Sequence, residues 1–302
     1  MDLYDKDFIP MLLSEVDKPF DDEDFLFEMK FDGTRTLIYV DPENIKITNK
    51  RGVFLNNTYP ELLSIKKNVK TKCIFDGEIV LMEGGFPSFR KLQERALLKN
   101  PAKIKYMVSN HPVTFICFDI LYEGKDLTDV PLIERKKILS KYKDTDFFIK
   151  TAFFPEEGII LFDSVAQLGL EGIIAKRKDS KYYPDTRTKE WLKIKNWMDQ
   201  EFFVCGYKIP NNMGSMASLI LGEKRNDNAF YYVGRVTIGK NNPEFKKIKE
   251  LKSLKKNYLK EFLHDDEGYV LLKPKLQCTV EFLQKTKTGK LRQPIYKGLR
   301  LD

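Results

Sequence analysis

Hydrophobic and polar positions follow two different patterns along the chain, and the change comes near residue 197. Before it, alternating segments typical of strands are mixed with segments whose apolar residues recur every three or four positions, as in helices. After it, strand-like segments dominate. Because strands in the first part are often consecutive, the pattern favours an α+β fold over a doubly wound sheet. We therefore predict two domains, residues 1–196 and 197–302.

In the first part, the pattern predicts strands over 25–31, 35–40, 45–49 and 73–81, and helices over 88–98, 132–142 and 156–168. The first three strands are expected to pair in antiparallel fashion through turns at 33–34 and 41–44. Gly169 is expected to end the last helix. The first domain should therefore combine antiparallel sheets with interspersed helices.

In the second part, the pattern predicts strands over 202–207, 217–221, 229–236, 269–272 and 278–283. A basic helix over 243–263 is expected between the third and fourth strands. Its apolar face would consist of Phe245, Ile248, Leu251, Leu254, Tyr258 and Phe262. Five strands with a helix in that position match the OB-fold, a small barrel that often binds nucleic acid. We expect the apolar face of the helix to plug the barrel.

Composition narrows the class of protein. Hydrophobic residues make up 42% of the 302 residues and charged residues 32%, which is typical of a globular protein. The N-terminus has no basic region followed by an apolar stretch, and the longest apolar run, 113–118, is too short to cross a bilayer. We therefore expect a cytoplasmic protein, associated with the nucleoid, that does not bind membranes.

The positions of the cysteines and histidines indicate which kind of metal site to expect. The four cysteines are far apart among apolar neighbours, which predicts small buried side chains in a reducing compartment. The two histidines form no ligand cluster with them, so a zinc site is not expected. Any metal used here should be a hard cation held by carboxylates and phosphates.

The net charge of +8 is unevenly distributed. Residues 198–302 contain 20 Lys and Arg against 12 Asp and Glu, whereas residues 1–197 are balanced. This asymmetry favours a C-terminal module that binds a polyanion. From charge alone, a basic surface that only increases solubility remains an alternative.

Residues 28–35, which read EMKFDGTR, contain a candidate nucleophile. Lys30 stands at the end of a predicted strand, before a tight turn. A lysine attacks phosphorus only when it is neutral, and nearby cations or desolvation supply that form. Gly33 would let the backbone approach a nucleotide, and Arg35 could bind phosphate through two hydrogen bonds. A surface loop is the alternative for this motif alone.

Five further segments follow in order: FDGEIV at 75–80, FICFDIL at 115–121, EGIIAK at 171–176, WLKIK at 191–195 and RQPIYKGLR at 292–300. Together with KFDGTR, this series resembles the motifs of the covalent nucleotidyltransferase superfamily, specifically the ATP-dependent DNA ligases. Segments 10–12, 201–207, 233–236 and 281–300 most resemble the ligase module of bacterial multifunctional end-joining ligases. The resemblance covers nearly the whole chain. It implies an ATP-grasp-like nucleotidyltransferase domain with antiparallel sheets, followed by a small β-barrel OB-fold domain.

The resemblance also implies roles for individual residues. The nucleotide would contact Glu28, Lys30, Arg35, Glu78, Phe118, Glu171, Lys176, Lys193 and Lys195. Among these, Lys30 would take AMP from ATP and Phe118 would stack on adenine. Lys193 and Lys195 would act in catalysis by covering the α-phosphate, because a strand sends both to one face.

Metal and DNA ligands follow from the same resemblance. Glu78 and Glu171 would hold Mg²⁺ or Mn²⁺. The DNA-binding residues would be Arg35, Arg51, Arg292 and Arg300, with Arg51 on the 5′-phosphate of the nick. Without the family pattern, Phe118 would be read as core, Glu78 as a strand-edge carboxylate and the two lysines as a solvated strand.

The implied reaction seals nicked or broken double-stranded DNA through lysyl-AMP and an adenylated 5′ end, in DNA repair and end joining. We expect a monomer with a hinge near 196–200 and a Ku-like end-binding partner. An RNA ligase, a capping guanylyltransferase and a non-catalytic nucleic-acid-binding protein are the alternatives, and intact Lys30, Glu78 and Glu171 argue against the last. The family pattern usually ends in Arg-x-Asp/Glu-Lys, whereas the sequence ends at Arg300-Leu301-Asp302. We therefore expect slower self-adenylation.

Overall fold

The computed structural model describes residues 2–210, 214–262, 268–286 and 288–300. The chain divides into two compact units, Met1–Lys195 and Asn196–Asp302. The C-terminal residues Leu301 and Asp302, part of the last predicted motif, lie outside the described residues.

The first unit is a mixed α/β structure. Its strands are β1 (Leu12–Glu15), β2 (Asp22–Met29), β3 (Thr34–Val40), β4 (Ile45–Asn49), β5 (Cys73–Glu83), β6 (Phe86–Pro87), β7 (Val113–Glu123), β8 (Phe148–Lys150), β9 (Phe153–Glu156), β10 (Gly172–Arg177) and β11 (Arg187–Lys195). Its α-helices are α1 (Phe89–Ala96), α2 (Pro101–Asn110), α3 (Leu132–Leu139) and α4 (Gly158–Gln167), and short 3-10 helices cover Leu3–Asp5 and Pro60–Asn68.

These strands form two sheets. One has the order β1-β11-β10-β2-β9, and the other has the order β4-β3-β5-β7-β8 with β6 paired to β5. The prediction that the strands around 25–31, 35–40 and 45–49 pair together is therefore wrong for the first of them. The chain leaves β2 beside β10 and enters β3 beside β5, so residues 30–33 cross from one sheet to the other.

Most other elements of the first unit agree with the sequence pattern. Strands β3, β4 and β5 and helices α1, α3 and α4 lie where they were predicted, and Gly169 adopts a φ of +66° just after α4. The predicted start of the last helix is early, because residue 156 still belongs to β9. Helix α2 was not predicted.

The second unit is built mainly of strands. They are β12 (Met198–Lys208), β13 (Met216–Lys224), β14 (Phe230–Gly239), β15 (Ser253–Leu254), β16 (Tyr269–Leu272), β17 (Gln277–Phe282), β18 (Gln284–Lys285), β19 (Leu291–Arg292) and β20 (Ile295–Leu299), with one helix, α5 (Pro243–Lys249). The main sheet runs β14-β13-β12-β16-β15, and β17 joins both β12 and β20. All five predicted strands are present. Among the described residues the strands form an OB-like region in which no barrel closure was detected.

The predicted helix over 243–263 is wrong beyond its first two turns. Helix α5 ends at Lys249, and Ser253–Leu254 pairs with β16 instead. The Tyr258 hydroxyl then donates to the carbonyl of Leu272 at 2.7 Å, and Asn257 accepts from the amide of Leu259. Local side-chain hydrogen bonds and strand pairing therefore replace helix here. The apolar positions are still used, because Phe245, Ile248 and Phe262 are buried.

All four cysteines are buried and unpaired, as predicted. None of the described helices has the length and hydrophobicity needed to cross a bilayer.

Candidate active site

One face of the sheet that contains β2, β10 and β11 has a row of charged side chains. Direct pairing places Glu28, Ile174 and Lys193 side by side on three adjacent strands. Residues two positions apart on a strand share a face, so the same face also carries Lys176 and Lys195. The opposite face is apolar and packs on α4 through residues such as Phe27, Ile173 and Ile194. The strand period thus separates an apolar face from a face that carries these charged residues together with buried Leu26 and Trp191.

Lys30 lies at the end of β2 on the border of this charged face. Its Nζ is 2.8 Å from Oε1 of Glu171, and its amide donates to the carbonyl of Gly172 at 2.9 Å. About a fifth of the Lys30 side chain is exposed. The candidate nucleophile is therefore accessible and is held by the carboxylate of Glu171, the first residue of the EGIIAK motif.

Gly33 is needed for close packing within the protein. A Cβ at this position would lie 2.2 Å from the carbonyl oxygen of Ile79 and 3.0 Å from a methyl group of Val80. From the sequence, Gly33 was expected to let the backbone approach a nucleotide. The structure gives a different reason, since the segment after Lys30 passes directly over β5.

Glu28 is buried between two lysines. Its Oε2 accepts from Lys176 at 2.7 Å, and its Oε1 forms an ion pair with Lys136 of α3. The Lys176 amine also lies over the rings of Phe118 and Trp191, 4.2 and 4.1 Å from their centroids. Burial lowers the pKa of Lys176 to about 8, although Glu28 opposes this. The Lys176 amine is thus enclosed by Glu28 and two aromatic rings, and its contact with the nucleotide stays a prediction.

Lys136 was missed from the sequence. A Lys-Lys pair on a short helix is typical of a solvated face, and only the packing of α3 against the sheets buries Lys136. No local pattern distinguishes it from Lys137, which is exposed.

Lys193 and Lys195 point to the same side of β11, as the strand pattern predicted. Both contact the carboxylate of Glu15 on β1, at 3.0 and 3.2 Å. Burial opposes ionisation of Glu15, but the hydrogen bonds from the two lysines lower its pKa below the ordinary value. Two ammonium groups are thus already arranged around one negative group.

Glu78 lies on β5 directly opposite Arg35 of β3. Burial raises the pKa of Glu78 to about 8. Lys30 and Arg35 oppose that rise, and Glu171 adds to it. Glu78 and Glu171 are thus close enough to interact, as the proposed metal ligands must be. Two carboxylates fit a hard cation that completes its shell with water and phosphate oxygens, and a cation would offset the cost of ionising Glu78. The described residues contain no group of three or more potential metal ligands.

Arg35 is hydrogen-bonded inside the protein, and its contacts with nucleotide and DNA stay predictions. Its guanidinium is held by two hydrogen bonds to buried Asp76, at 3.0 and 2.7 Å, and Asp76 also accepts from the Tyr182 hydroxyl at 2.7 Å. The guanidinium that was expected to bind phosphate therefore already donates its hydrogen bonds to a carboxylate inside the protein. Phe118 is partly buried beneath it, with the guanidinium carbon 5.1 Å from the ring centroid.

The remaining DNA-binding candidates lie elsewhere. Arg51 is exposed in the turn after β4, where its amide donates to Asn49. In the second unit, Arg292 belongs to the short β18–β19 pair, and half-exposed Arg300 contacts Glu201 at 3.0 Å. The structure therefore brings Lys30, Glu171 and the two β11 lysines onto one unit, and places these arginines at separate positions.

Comparison with protein families agrees with the motif order. A model of the ATP dependent DNA ligase domain matches residues 10–195, and a model of the ATP dependent DNA ligase C terminal region matches residues 212–302. The chain belongs to the ATP-dependent DNA ligase family. Its enzymatic class is therefore that of the ATP-dependent DNA ligases. The charged face around Lys30 agrees with this class.

Individual ligases are similar over almost the whole chain. The multifunctional non-homologous end joining protein LigD of Mycolicibacterium smegmatis is 30% identical over 98% of this chain, which spans 39% of that protein. The SPbeta prophage-derived DNA ligase-like protein LigB of Bacillus subtilis is 28% identical over 97% of this chain and 98% of its own length. The structure of mycobacterial DNA ligase D complexed with ATP and MES superposes with a TM-score of 0.59 and 27% identity, covering 100% of this chain and 97% of the other.

Proposed function

We propose that this protein seals breaks in double-stranded DNA in three steps. Lys30 attacks the α-phosphorus of ATP, forms a P–N bond and releases pyrophosphate. The AMP then passes to the 5′-phosphate at a break, which regenerates the Lys30 amine. Finally the 3′-hydroxyl attacks that phosphate, forms the phosphodiester bond and releases AMP.

The observation that carries this proposal is the arrangement around Lys30. An accessible lysine amine lies 2.8 Å from Glu171, on a sheet whose same face holds Lys193 and Lys195. Phosphoryl transfer needs little covalent chemistry from the protein beyond positioning and neutralisation of phosphoryl oxygens. Arriving phosphates would take the place of Glu15 between Lys193 and Lys195 and would be held within reach of Lys30.

The adenine is proposed to lie against Phe118 and Ile174. Phe118 is partly buried, and Ile174 is a partly buried apolar residue directly between Glu28 and Lys193. A flat base fits between an aromatic ring and an aliphatic side chain. Glu28, held by Lys136 and Lys176, would line the floor of this site.

Glu78 and Glu171 are proposed to bind Mg²⁺ or Mn²⁺. When bound, such a cation neutralises charge on the phosphate oxygens. For the protein itself, the consequence is that Glu171 has a partner other than the Lys30 ammonium. The Lys30 amine is then able to lose its proton and act as nucleophile.

DNA is proposed to contact Arg51 in the first unit, and Arg292, Arg300 and the basic surface of the second unit. Residues 198–302 carry the whole net charge of +8, which suits a polyanion. Residues 196–197, between β11 and β12, lie within the proposed hinge. By analogy with the LigD relatives, the cellular role would be DNA repair by end joining with a Ku-like partner.

Transfer of label from ATP tests the first step. Wild-type protein incubated with Mg²⁺ and ATP labelled at the α-phosphate is expected to become labelled, and Lys30→Ala is expected to lose at least 99% of that labelling. Lys125→Ala changes an exposed lysine in the turn after β7, at the Cys73 end of β5, and serves as the matched control. Equal labelling of Lys30→Ala, or stronger labelling from GTP than from ATP, would exclude this mechanism.

Sealing assays test the substrate class. Nicked DNA, a nicked DNA–RNA hybrid and nicked RNA of the same sequence would be compared, together with cohesive and blunt ends. Sealing of nicked DNA is expected to be the fastest. If nicked RNA is sealed faster than nicked DNA, the assignment to DNA is wrong. Failure to join ends with or without an added Ku-like protein would contradict the end-joining role alone.

A further inference from the structure

A pair of helices is inserted between β6 and β7 and has no role in the reaction described above. This helical insert comprises residues 88–110, with α1 and α2. Helix α1 is anchored by buried Leu92 and Arg95. Arg95 pairs with Glu61 at 2.9 Å and also donates to the carbonyl of Ile104, so it fixes α2 to the core through the backbone.

Helix α2 is well formed although it contributes nothing to the core. The Asn100 side chain accepts from the amides of Ala102 and Lys103, and Pro101 occupies the first turn, which together form a strong start signal. All ten residues of α2 are described, and none of them is buried. Tyr106 is 62% exposed. Ile104, Met107 and Val108 form a partly buried inner face, and the remaining residues of this fixed helix are exposed and available to contact another molecule.

The insert carries uncompensated positive charge. Arg90 pairs with Glu94 and Lys91 with Glu83, whereas no described residue forms an ion pair with Lys99, Lys103 or Lys105. Residues 95–110 contain no Asp or Glu. The three exposed lysines therefore have no local counter-charge, and this favours a polyanionic partner.

The insert begins near the reactive lysine. Gly33 packs on Ile79 and Val80, and the amide of Ser88 donates to the carbonyl of Leu81 at 2.8 Å. These contacts lie within two residues of each other on β5, which is about 7 Å along a strand. The opposite end of β5 begins at Cys73, where Tyr142 contacts the Cys73 thiol. The insert is therefore at the Lys30 end of the sheet.

We propose that the helical insert is an additional DNA-binding surface that holds the sugar-phosphate backbone of the duplex beside the nick, through Lys99, Lys103, Lys105 and the Tyr106 hydroxyl. This inference rests on the proposed function, since a DNA end must reach Lys30. Lysine ammonium groups bind phosphates as point charges, and tyrosine hydroxyls donate to phosphate oxygens. Such contacts position the duplex and are independent of base sequence.

The test compares wild type with the triple variant Lys99→Ala/Lys103→Ala/Lys105→Ala, in which alanine preserves helix propensity. Binding of a nicked duplex would be measured at several salt concentrations. The variant is expected to bind at least tenfold more weakly at low salt. The slope of log K against log salt should become shallower by about 2 to 3, since each phosphate contact contributes about 0.9. Labelling of Lys30 from ATP should remain at the wild-type rate, which also shows that the variant is folded.

A matched control removes the same charge at the other end of β5. In Lys137→Ala/Lys141→Ala/Lys143→Ala the changes lie on and just after α3, near the Tyr142 contact with Cys73. This control should keep wild-type affinity and slope. If the insert variant binds nicked DNA like wild type, or if the control weakens binding equally, the proposal is wrong. If the wild-type protein itself is not labelled with AMP from ATP, the proposed function is refuted instead.

Discussion

Glu28 shows how the charges of single residues are balanced in the interior of this protein. One buried carboxylate faces two buried lysines, Lys136 and Lys176, so the group carries one excess positive charge. Removing the carboxylate leaves two buried ammonium groups without a counter-charge, whereas removing one lysine leaves a balanced pair. The three residues therefore differ in how much their loss should cost.

We expect Glu28→Gln to lower the free energy of unfolding by about 3–5 kcal/mol, the usual cost of an uncompensated buried charge. Lys136→Met should lower it by less than half as much, because Glu28 and Lys176 still form a pair. Urea denaturation of both variants provides the measurement. A larger loss for Lys136→Met than for Glu28→Gln would contradict this account of the charge balance.

Glu78 predicts how stability depends on pH. Because burial raises its pKa to about 8, the folded protein keeps a proton that the unfolded chain releases at its ordinary pKa of 4.5. The free energy of unfolding should therefore fall as pH rises from about 5 to 8. Glu78→Gln should remove this decline and gain on the order of 1 kcal/mol or more over wild type at pH 8, since one pKa unit is worth about 1.4 kcal/mol.

Thermal or urea denaturation at pH 5 to 8, without metal, measures this effect. The range stops at pH 8 because Lys176, whose pKa is lowered to about 8, contributes with the opposite sign above it. Glu83→Gln, at the end of the same strand and paired with Lys91 at 3.0 Å, is the control. An equal pH slope in wild type and Glu78→Gln would show that Glu78 ionises normally.

Residue positions could be predicted from the sequence where a short period controls them. Lys193 and Lys195 are two apart on a strand, and Glu171 immediately precedes β10, so their proximity follows from the motifs themselves. Lys136, Asp76 and Tyr182 could not be found in this way. Their burial and pairing depend on contacts between elements distant in sequence.

At the scale of elements, the segment after β2 has little room for change. We expect Gly33→Ala to lower the free energy of unfolding by about 1–3 kcal/mol, because the added methyl group would meet the Ile79 carbonyl at 2.2 Å. It should also slow AMP labelling of Lys30 at least tenfold. Gly239→Ala is the matched control, since nothing lies within 4 Å of its added Cβ. Comparable losses in the two variants would show that crowding at β5 is not the cause.

Helix α2 gives a second element-scale prediction. Asn100→Ala removes both capping hydrogen bonds and should destabilise the helix by about 1 kcal/mol. Since no α2 residue is buried, the melting temperature should change by less than about 1 °C. Hydrogen exchange of the α2 amides should instead become severalfold faster. Global loss of stability would mean that α2 supports the core after all.

The two errors in helix prediction, one helix missed and one predicted too long, have opposite causes. Helix α2 has only three apolar residues at helical spacing, Ile104, Met107 and Val108, and they are only partly buried, so its apolar pattern is weak although Asn100-Pro101 is a recognisable start signal. The stretch after α5 has helical periodicity, but pairing of Ser253–Leu254 with β16 determines its conformation. Hydrophobic spacing thus predicted which residues are buried better than it predicted backbone conformation.

At the scale of the whole molecule, charge asymmetry should separate the DNA steps from the nucleotide step. If five or more phosphates are contacted, log K for nicked DNA should fall with log salt at a slope of about −4 or steeper. Labelling of Lys30 from ATP should depend much less on salt, since it involves one small ligand. Parallel titrations between 50 and 200 mM KCl would measure both. Equal salt dependence of the two would argue against DNA binding by the basic second unit.

The overall organisation was largely accessible from sequence because two independent signals mark it. The change in pattern near residue 197 lies close to the boundary between the compact units, and the ordered motifs indicated the ligase family. The division of the first unit into two sheets was not accessible. Strand pairing between distant segments, such as β2 with β10, is not encoded in local alternation.

The chain crosses between those two sheets at residues 30–33, and this has a consequence for how the enzyme should lose activity on heating. Lys30 is attached to one sheet through the carbonyl of Gly172, and Gly33 rests on the other through Ile79. A small displacement of one sheet relative to the other would move the Lys30 amine away from Glu171, even while both hydrophobic cores stay closed to water. Heating should therefore abolish activity several degrees below the melting temperature, and mild damage to either core should appear first as a catalytic defect.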